Sequence, residues 1–282
     1  MIDNPVILSL TFGGHDTSAA LMVGGNLVAA CAQERYTLDK HSRMFPIDAI
    51  RNCLEIGGIK ISDLDQLAFC DDAEYLIRER YLRPALENKD RINVLIKDIE
   101  QIQETHLVED RIRQETGFAG EICQYRHHLC HLASAYYPSG FDEALLVSYD
   151  GMGEWETGLF ATGKSGEIVV QEESVCFPHS LGLVYSAITF YLGWRHHCDE
   201  GIIMGLAPYG DPTARIPRSN RTYISLLEEM IVETGDYDYQ IDQRWVSYYR
   251  ERNKWVSEEF IDLMGPKRDH NTDINAHHMN LA

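Results

Sequence analysis

Two stretches of the chain share one pattern of apolar and polar positions. In each stretch an apolar strand leads into a turn with glycine and aspartate, then a second strand, a tight turn and a third strand. The first copy covers residues 6–32, with its first turn at residues 13–17, and the second copy covers residues 143–175. Short apolar runs joined by glycine-containing bends are typical of antiparallel strands. The repeat therefore predicts two lobes that are built alike.

The segments outside the repeat are mostly helical by pattern. Predicted helices, which have apolar residues at intervals of three or four, lie at residues 46–56, 127–137 (stopped by Pro138), 180–194, 223–233 and 246–264. Short strands are predicted at residues 65–70 and 121–125. The three-glycine segment at residues 200–210 is predicted to be a loop, and residues 265–282 a polar tail without a terminal element.

Helices and strands together predict an α/β fold. The first lobe is expected at residues 1–142, with a charged helical insertion near residues 73–116, and the second at residues 143–282. Duplication of this kind is the arrangement of an actin-like ATPase (ribonuclease H-like duplicated) fold, in which each lobe offers a hairpin that grips phosphate. The second lobe is expected to be incomplete and the chain truncated, since the sequence stops before the second core is closed.

Composition narrows the possible partners and compartment. The chain of 282 residues has 44 acidic and 25 basic residues, a formal net charge of −19. Such a chain gains no counterion-release driving force on nucleic acid and is repelled by anionic membranes, so neither is expected as a partner. No apolar stretch is long enough for a membrane span. The seven cysteines are scattered and form no CxxC motif, which favours reduced thiols in the cytoplasm.

The glycine turns are candidate phosphate sites. A polar bend between antiparallel strands offers backbone N–H groups and small hydroxyls to phosphate oxygens. The candidate nucleotide contacts of the first turn are Gly13, Gly14, Asp16, Thr17 and Ser18, although Asp16 is also suited to forming the turn itself. The corresponding candidates further along the chain are Gly151 and Gly153 of the second turn and Gly205 of the three-glycine segment.

A histidine pair and an aspartate form a candidate metal site. His127 and His131 are four residues apart, so on a helix both face the same side, and Asp150 closes the strand predicted at residues 143–149. Two imidazoles and a carboxylate are a plausible first shell for a divalent transition metal. The alternative is that one histidine caps or packs and the other is solvated. His128 points about 100° away from His127 and is expected to pack against a neighbour.

Two further histidine clusters are weaker candidates for a metal site. The run at residues 196–200 has adjacent histidines rather than an i, i+4 pair, so a loop near an acceptor pocket is preferred over a metal site. His277 and His278 are expected to lie in an exposed tail.

Five stretches of the chain together resemble a known family. They are residues 8–20, residues 33–36 with Lys40-His41, residues 127–139, residues 148–154 and residues 204–210. In this order they resemble the ATP-dependent O-carbamoyltransferases, which include the nodulation protein U type and the antibiotic carbamoyltransferases. The match covers about residues 6–210. One departure is Ile202, where many relatives carry a lysine, and this puts a phosphate contact at that position in doubt.

The resemblance implies a Kae1-like lobe and a particular metal. In the family, iron in the first place, with Mn²⁺ or Mg²⁺ as alternatives, is held at the positions of His127, His131 and Asp150, and it also touches nucleotide phosphates. A further acidic ligand lies past Ala282. A C-terminal YrdC-like domain, absent here, makes carbamoyl adenylate from carbamoyl phosphate and ATP. The chain alone is therefore expected to be inactive for the full reaction.

The activity implied is transfer of a carbamoyl group from carbamoyl adenylate to a hydroxyl of a small-molecule or glycan acceptor. His15, beside the phosphates, is the candidate general base, because imidazole titrates near neutral pH. Lys40 is the candidate contact to phosphate or to developing carbonyl charge, with a solvated surface lysine as the alternative. Two rival functions remain open: a kinase or ATPase on the same actin-like scaffold, and a non-catalytic nucleotide-binding fragment. The acceptor, the metal and the oligomeric state do not follow from the residues.

Overall fold

The computed structural model describes residues 4–14, 16–235, 238–251 and 253–282. The chain divides into two compact units, Met1–Cys130 and His131–Ala282. The predicted lobe boundary after residue 142 lies further along the chain, in the loop before the first strand of the second repeat. None of the helices in the described ranges is long and apolar enough to cross a membrane.

The first unit contains a five-stranded mixed sheet. Its strands are β1 (Val6–Thr11), β2 (Ser18–Val23), β3 (Asn26–Ala32), β4 (Gln66–Phe69) and β5 (Glu121–Gln124). They lie in the order β3-β2-β1-β4-β5, with β1, β2 and β3 antiparallel and β4 and β5 parallel to β1. In the register, Leu8 pairs with Leu21 on one side and with Leu67 on the other. This mixed sheet with its helices confirms the predicted α/β class.

Helices follow the sheet strands of the first unit as the sequence predicts. They are α1 (Glu34–Thr37), α2 (Ile47–Gly57), α3 (Ala73–Leu76), α4 (Arg83–Glu87), α5 (Ile92–Lys97), α6 (Ile99–His106) and α7 (Val108–Thr116), with a π-helical stretch at Ile77–Leu82 and 3₁₀ turns at Ile61–Asp63 and Lys89–Arg91. The buried face of α2 (Ala49, Ile50 and Cys53) packs on the sheet in the same apolar cluster as Leu8 and Leu21. The predicted insertion near residues 73–116 is helical.

The second unit begins with an antiparallel meander. Its strands are β6 (Glu143–Tyr149), β7 (Glu156–Lys164) and β8 (Glu167–Cys176), in the order β6-β7-β8, and a separate pair is formed by β9 (Ile231–Glu233) and β10 (Tyr239–Ile241). The helices are α8 (His127–Ser139), which includes the division between the units, α9 (Leu181–Tyr191), α10 (Glu200–Leu206), α11 (Tyr223–Met230), α12 (Glu258–Met264) and α13 (Ala276–Leu281). The meander has the strand–turn–strand order that the repeat predicts.

The three-glycine segment is helical, so the loop predicted there is wrong. Residues 200–206 form α10, and a 3₁₀ turn at Ala207–Tyr209 follows. Ile203 is fully buried in the large core of the second unit. Burial of this side chain on one helical face outweighs the cost of a glycine in a helix, which is about 1 kcal/mol relative to alanine.

Three further helix predictions are wrong in extent. Of residues 246–264 only α12 is helical, and Val246 instead pairs with Val256 in an antiparallel bridge. Residues 231–233 continue past α11 as a strand. The helix at residues 127–137 runs through Pro138 and ends one residue later. A proline in the last turn removes a single helical hydrogen bond, which a helix end tolerates.

The predicted polar tail ends in a helix. Asn275 caps α13 by accepting the backbone N–H of His278, and Leu281 is buried. His277 is half-buried, and its Nδ1 lies 2.6 Å from the Tyr223 hydroxyl. The expectation of an exposed, unstructured tail is therefore wrong.

Candidate metal centre

Two histidines project from the first turns of α8. His127 begins the helix and His131 follows one turn later, so both lie on the same side. Asp150 follows β6 directly, and its Oδ2 lies 3.2 Å from His131 Nε2. One possible ligand atom from each of the three residues lies within 4.8 Å of the other two. The structure brings together the three side chains predicted as metal ligands, and metal binding itself stays a prediction.

The chemistry of these side chains fits a divalent transition metal. Two imidazole nitrogens and one carboxylate oxygen form a mixed donor set that suits iron and its neighbours. The side chains of His127, His131 and Asp150 are 29%, 50% and 39% exposed, so an ion has access to them. In the part of the chain that the structure describes, no other group of three His, Cys, Asp or Glu side chains is close enough to hold an ion.

Helix α8 is anchored by apolar side chains on its opposite side. Leu132 and Tyr136 are almost fully buried and form a cluster with Leu146, Leu159 and Ala161 of β6 and β7. The Tyr136 hydroxyl also donates to the backbone carbonyl of Asp142, at 3.0 Å. Because this packing fixes the helix on the meander, it also fixes His131 relative to the end of β6.

Asp71 is a site residue that sequence reasoning missed. Its Oδ1 lies 3.4 Å from His127 Nδ1. Asp71 follows β4, His127 follows β5, and the two strands are parallel to each other. The carboxyl ends of parallel strands meet at one sheet edge, where ligands of open α/β sheets bind. The position of an aspartate directly after a predicted strand was the available signal.

The first glycine turn lies at the same edge, after β1. Gly13 has φ +90°, which favours glycine, and Asp16 has φ +59°. The Asp16 carboxylate accepts from His41 Nδ1 at 2.9 Å. His41 was not predicted as a site residue, although it is part of the family-like stretch. His15, the predicted general base, lies outside the described residues.

Two hydroxyl residues of that turn contribute to its framework. Thr17 is 1% exposed, and its hydroxyl donates to the carbonyl of Ser42 at 2.9 Å. Ser18 is half-buried and starts β2, where it pairs with Thr11. Gly13, Gly14 and Asp16 are exposed and therefore remain the accessible phosphate candidates of this turn.

The other predicted contacts are spread over both units. Lys40 is exposed in the segment after α1. Gly151 N–H donates to the Asp150 carboxylate at 2.6 Å, and Gly153 N–H donates to the Glu156 carbonyl at 2.9 Å, so both brace their own turn. Gly205 is exposed on α10 rather than in a loop.

One thiol near His127 is acidic. A hydrogen bond with Cys130, together with one from Ser9, lowers the pKa of Cys70 to about 7 despite its burial, and the charge of His127 acts in the same direction. The Cys70 Sγ lies 3.6 Å from the Ser9 hydroxyl. No disulfide joins any of the seven cysteines, all of which lie in the described ranges.

The second histidine cluster has a packing role. The His196 ring lies 4.3 Å from the Trp255 ring, and burial lowers the pKa of His196. Glu200 accepts from the Ser186 hydroxyl and from the His197 backbone N–H, each at 2.6 Å. These contacts pack the cluster and engage Glu200 in hydrogen bonds.

Comparison with known proteins now gives the family. The model of the carbamoyltransferase N-terminus matches residues 7–282. An uncharacterised protein of Synechocystis sp. is 31% identical over 289 residues, which cover 98% of this chain and 45% of that protein. The chain belongs to the carbamoyltransferase family.

Nodulation proteins are among the relatives. Nodulation protein NolNO of Sinorhizobium fredii is 34% identical over 249 residues, covering 86% of this chain and 33% of NolNO. Nodulation protein NolO of Bradyrhizobium diazoefficiens is 38% identical over 117 residues, covering 42% of this chain and 20% of NolO. The chain therefore spans less than half the length of these curated relatives.

Two solved structures are distant matches to this chain. YeaZ from Pseudomonas aeruginosa is 14% identical with a TM-score of 0.33, covering 62% of this chain and 68% of YeaZ. The Ppx/GppA phosphatase of Aquifex aeolicus is 10% identical with a TM-score of 0.33, covering 74% of this chain and 65% of the phosphatase.

Proposed function

We propose that this chain is the acceptor-carbamoylating part of an ATP-dependent O-carbamoyltransferase, which moves a carbamoyl group from carbamoyl adenylate to a hydroxyl. The observation that carries the proposal is the convergence of His127, His131 and Asp150 within 4.8 Å of one another. Membership of the carbamoyltransferase family supports it. A kinase on the same scaffold has no need of two imidazoles at this place.

The transfer step makes one bond and breaks one at the carbamoyl carbon, and it moves one proton. The acceptor oxygen bonds to the carbamoyl carbon, the mixed-anhydride C–O bond to the adenylate phosphate breaks, AMP leaves and the acceptor proton goes to a base. His127, His131 and Asp150 would hold a divalent metal, with Fe²⁺ as the first choice, and the bound metal would supply Lewis-acid stabilisation of phosphate charge.

The remaining candidate residues would either contact the carbamoyl donor or accept the proton of the acceptor. Gly13, Gly14 and Asp16, exposed at the end of β1, would contact the phosphate region of the donor. The negative Asp16 disfavours an anion unless a cation intervenes, so we assign its carboxylate to His41 and the phosphate contact to backbone N–H groups. His15 would accept the acceptor proton, and Lys40 would neutralise developing charge.

The proposal also covers the substrates, the acceptor and the location of the whole enzyme. ATP and carbamoyl phosphate would be its substrates, and a small molecule or glycan with a free hydroxyl its acceptor. The donor would be made outside this chain, since the relatives are more than twice its length. A net charge of −19 and seven cysteines outside any disulfide in the described ranges favour a cytoplasmic protein without a nucleic-acid or membrane partner.

The test uses both this chain and a parent protein that contains it. Calorimetric titration of the chain with Fe²⁺ without oxygen, with and without ATP, should give a metal site that is lost in His127→Ala and Asp150→Ala. The parent should release pyrophosphate only with carbamoyl phosphate and ATP, and should carbamoylate members of an alcohol panel. His278→Ala, at the other end of the second unit, is the matched histidine control. An ATP affinity that is the same with and without metal, and unchanged in both variants, would instead favour the kinase or ATPase.

A further inference from the structure

The turn that carries Asp150 is hydrogen-bonded by Ser180, the residue just before α9. Ser180 is fully buried and caps α9 by accepting the backbone N–H of Leu183 at 3.0 Å. The same hydroxyl lies 2.7 Å from the carbonyl oxygen of Gly151 and 3.2 Å from that of Asp150, so its single proton is shared between these two acceptors. One side chain therefore joins the start of the helix to the backbone on both sides of the Asp150–Gly151 peptide bond.

The second residue of the helix touches the same peptide. A Cβ atom on Gly182 would lie 2.6 Å from Gly151 N, 2.8 Å from the Asp150 carbonyl carbon and 2.8 Å from Gly151 Cα. Ordinary Cβ contacts begin near 3.4 Å. All three neighbours are backbone atoms, so no side-chain rotation relieves the overlap. Any side chain at position 182 must push the helix and the Asp150 turn apart by more than about half an ångström.

The start of α9 is itself held in place, so the turn is the part that would move. Leu181 N–H donates to the Tyr239 hydroxyl at 3.1 Å. Immediately before the helix, the Thr157 hydroxyl donates to the His179 carbonyl, and His179 Nδ1 accepts from Ile241 N–H at 3.0 Å. Most of the helix is buried in the large core of the second unit.

Asp150 has little tolerance for such a shift. Its Oδ2 lies 3.2 Å from His131 Nε2, and its Oδ1 already accepts from Gly151 N–H at 2.6 Å. Metal–ligand distances are held to within about 0.2 Å. A displacement of half an ångström at the backbone of residue 150 is therefore larger than a metal site tolerates.

We propose that Ser180 and Gly182 are positioning residues for the Asp150 carboxylate, which they set against His131 for metal binding. The proposal rests on the proposed function, because it takes Asp150 as a metal ligand. Neither residue touches the metal, the nucleotide or the acceptor in this assignment. Ser180 holds the turn by hydrogen bonds, and Gly182 allows the helix to approach it closely.

The experiment compares two variants with two matched controls in the 282-residue chain. Ser180→Ala removes the shared hydroxyl, and Gly182→Ala adds the overlapping Cβ. Ser257→Ala is the control for the serine, because Ser257 is also buried and caps α12 by accepting Phe260 N–H at 3.1 Å. Gly201→Ala is the control for the glycine, because no atom lies within 4 Å of its added Cβ. Both controls lie in the second unit, away from the Asp150 turn in sequence.

The readouts are Co²⁺ affinity by calorimetry, the visible absorption spectrum of bound Co²⁺, and thermal unfolding of the metal-free chain. Loss of an outer contact to a metal ligand typically weakens metal affinity about 10- to 100-fold. We expect a loss of that size and an altered Co²⁺ spectrum in Ser180→Ala and Gly182→Ala, with both controls within about threefold of the unmodified chain.

The outcomes separate the two proposals. If the unmodified chain binds no Co²⁺, or binds it equally after Asp150→Ala, the proposed metal site is wrong, whatever the other variants do. If Asp150→Ala abolishes binding while Ser180→Ala leaves affinity and spectrum unchanged, the positioning role is wrong and the metal site stands. Should Gly182→Ala unfold, Ser180→Ala decides, since it removes one oxygen atom and creates no overlap. A loss of affinity in Ser257→Ala equal to that in Ser180→Ala would also overturn the positioning role, because it would trace the effect to general destabilisation.

Discussion

The anchoring of α8 makes a quantitative prediction about the second unit. Leu132 is 1% exposed and lies in the small cluster that joins α8 to β6 and β7. On β6, Leu145 is 62% exposed and points away from that cluster. Leu132→Ala and Leu145→Ala therefore remove the same atoms from opposite surroundings.

The expected free energies of unfolding differ severalfold. Truncating a fully buried leucine costs the transfer free energy of the lost carbons plus a cavity term, about 2–5 kcal/mol in total. The cluster around Leu132 has five buried members, so partial collapse of the cavity places the expected loss near 3 kcal/mol. Leu145 buries only about a third of its side chain, so its loss is expected to stay below about 1 kcal/mol.

Tryptophan fluorescence is the selective assay. All four tryptophans of the chain are in the second unit: Trp155, Trp194, Trp245 and Trp255. Urea unfolding followed by fluorescence therefore reports on the second unit, and far-UV circular dichroism reports on both. Equal losses in Leu132→Ala and Leu145→Ala would refute the anchoring of α8. So would a Leu132→Ala loss that appears only in the circular dichroism transition.

Three further predictions concern titration and binding. Burial lowers the pKa of His277, so its neutral ring stabilises the fold fully above the ordinary histidine value of about 6.5, and this contribution is lost as the pH falls below that value; His277→Asn should show a shallower loss of unfolding free energy between about pH 7 and 5. The hydrogen bond from Cys130 lowers the pKa of Cys70 to about 7, whereas burial raises that of Cys53 to about 12, so iodoacetamide at pH 8 should label Cys70 first, as read by peptide mass spectrometry. Asp16→Asn should change unfolding free energy by less than about 1 kcal/mol, because the Asp16 side chain is 54% exposed. It removes a negative charge and keeps the backbone N–H groups, so ATP affinity in calorimetry should be unchanged or higher; weaker ATP binding would contradict the assignment of the phosphate contact to the backbone.

The strands could be predicted because their signal is local. Apolar residues and glycine bends predict β6 with its observed bounds, and the period of two reflects side chains on opposite faces of one strand. Most of the failures involve the large core of the second unit. Apolar and aromatic residues near Trp245 and Trp255 suggested a long helix, but these side chains fill that core from a segment bridged between Val246 and Val256.

The convergence of the candidate site was predictable for the histidine pair of one helix and for Asp150 at the end of a predicted strand. His127 and His131 are related by the helix itself, so their spacing was sufficient. Asp71 and Ser180 reach the site from distant parts of the chain, and no local pattern marks which strand end or helix start will lie beside a given ligand. Such contacts depend on strand order and on helix packing, which one sequence does not specify.

The repeat extends beyond the strands to the way each acidic turn is held. In the first unit, Asp16 follows the first strand of a meander and is bonded by His41, which comes soon after the third strand. In the second unit, Asp150 follows the first strand of a meander, and its backbone is bonded by Ser180, which again comes soon after the third strand. The contact of His41 with Asp16 and the contact of Ser180 with the Asp150 turn differ in one respect that has chemical consequences.

His41 binds the carboxylate of Asp16 directly, whereas Ser180 binds only backbone carbonyl oxygens and leaves the carboxylate of Asp150 facing His131. The Asp16 carboxylate thus contacts a histidine that follows its own meander, whereas the Asp150 carboxylate contacts a histidine of the candidate metal site. The duplicated framework therefore assigns different tasks to equivalent positions. In the proposed function, Asp16 would shape a turn whose N–H groups contact phosphate, and Asp150 would offer its charge to a cation. If Asp16→Asn abolished metal binding as completely as Asp150→Asn, this division of tasks would be wrong.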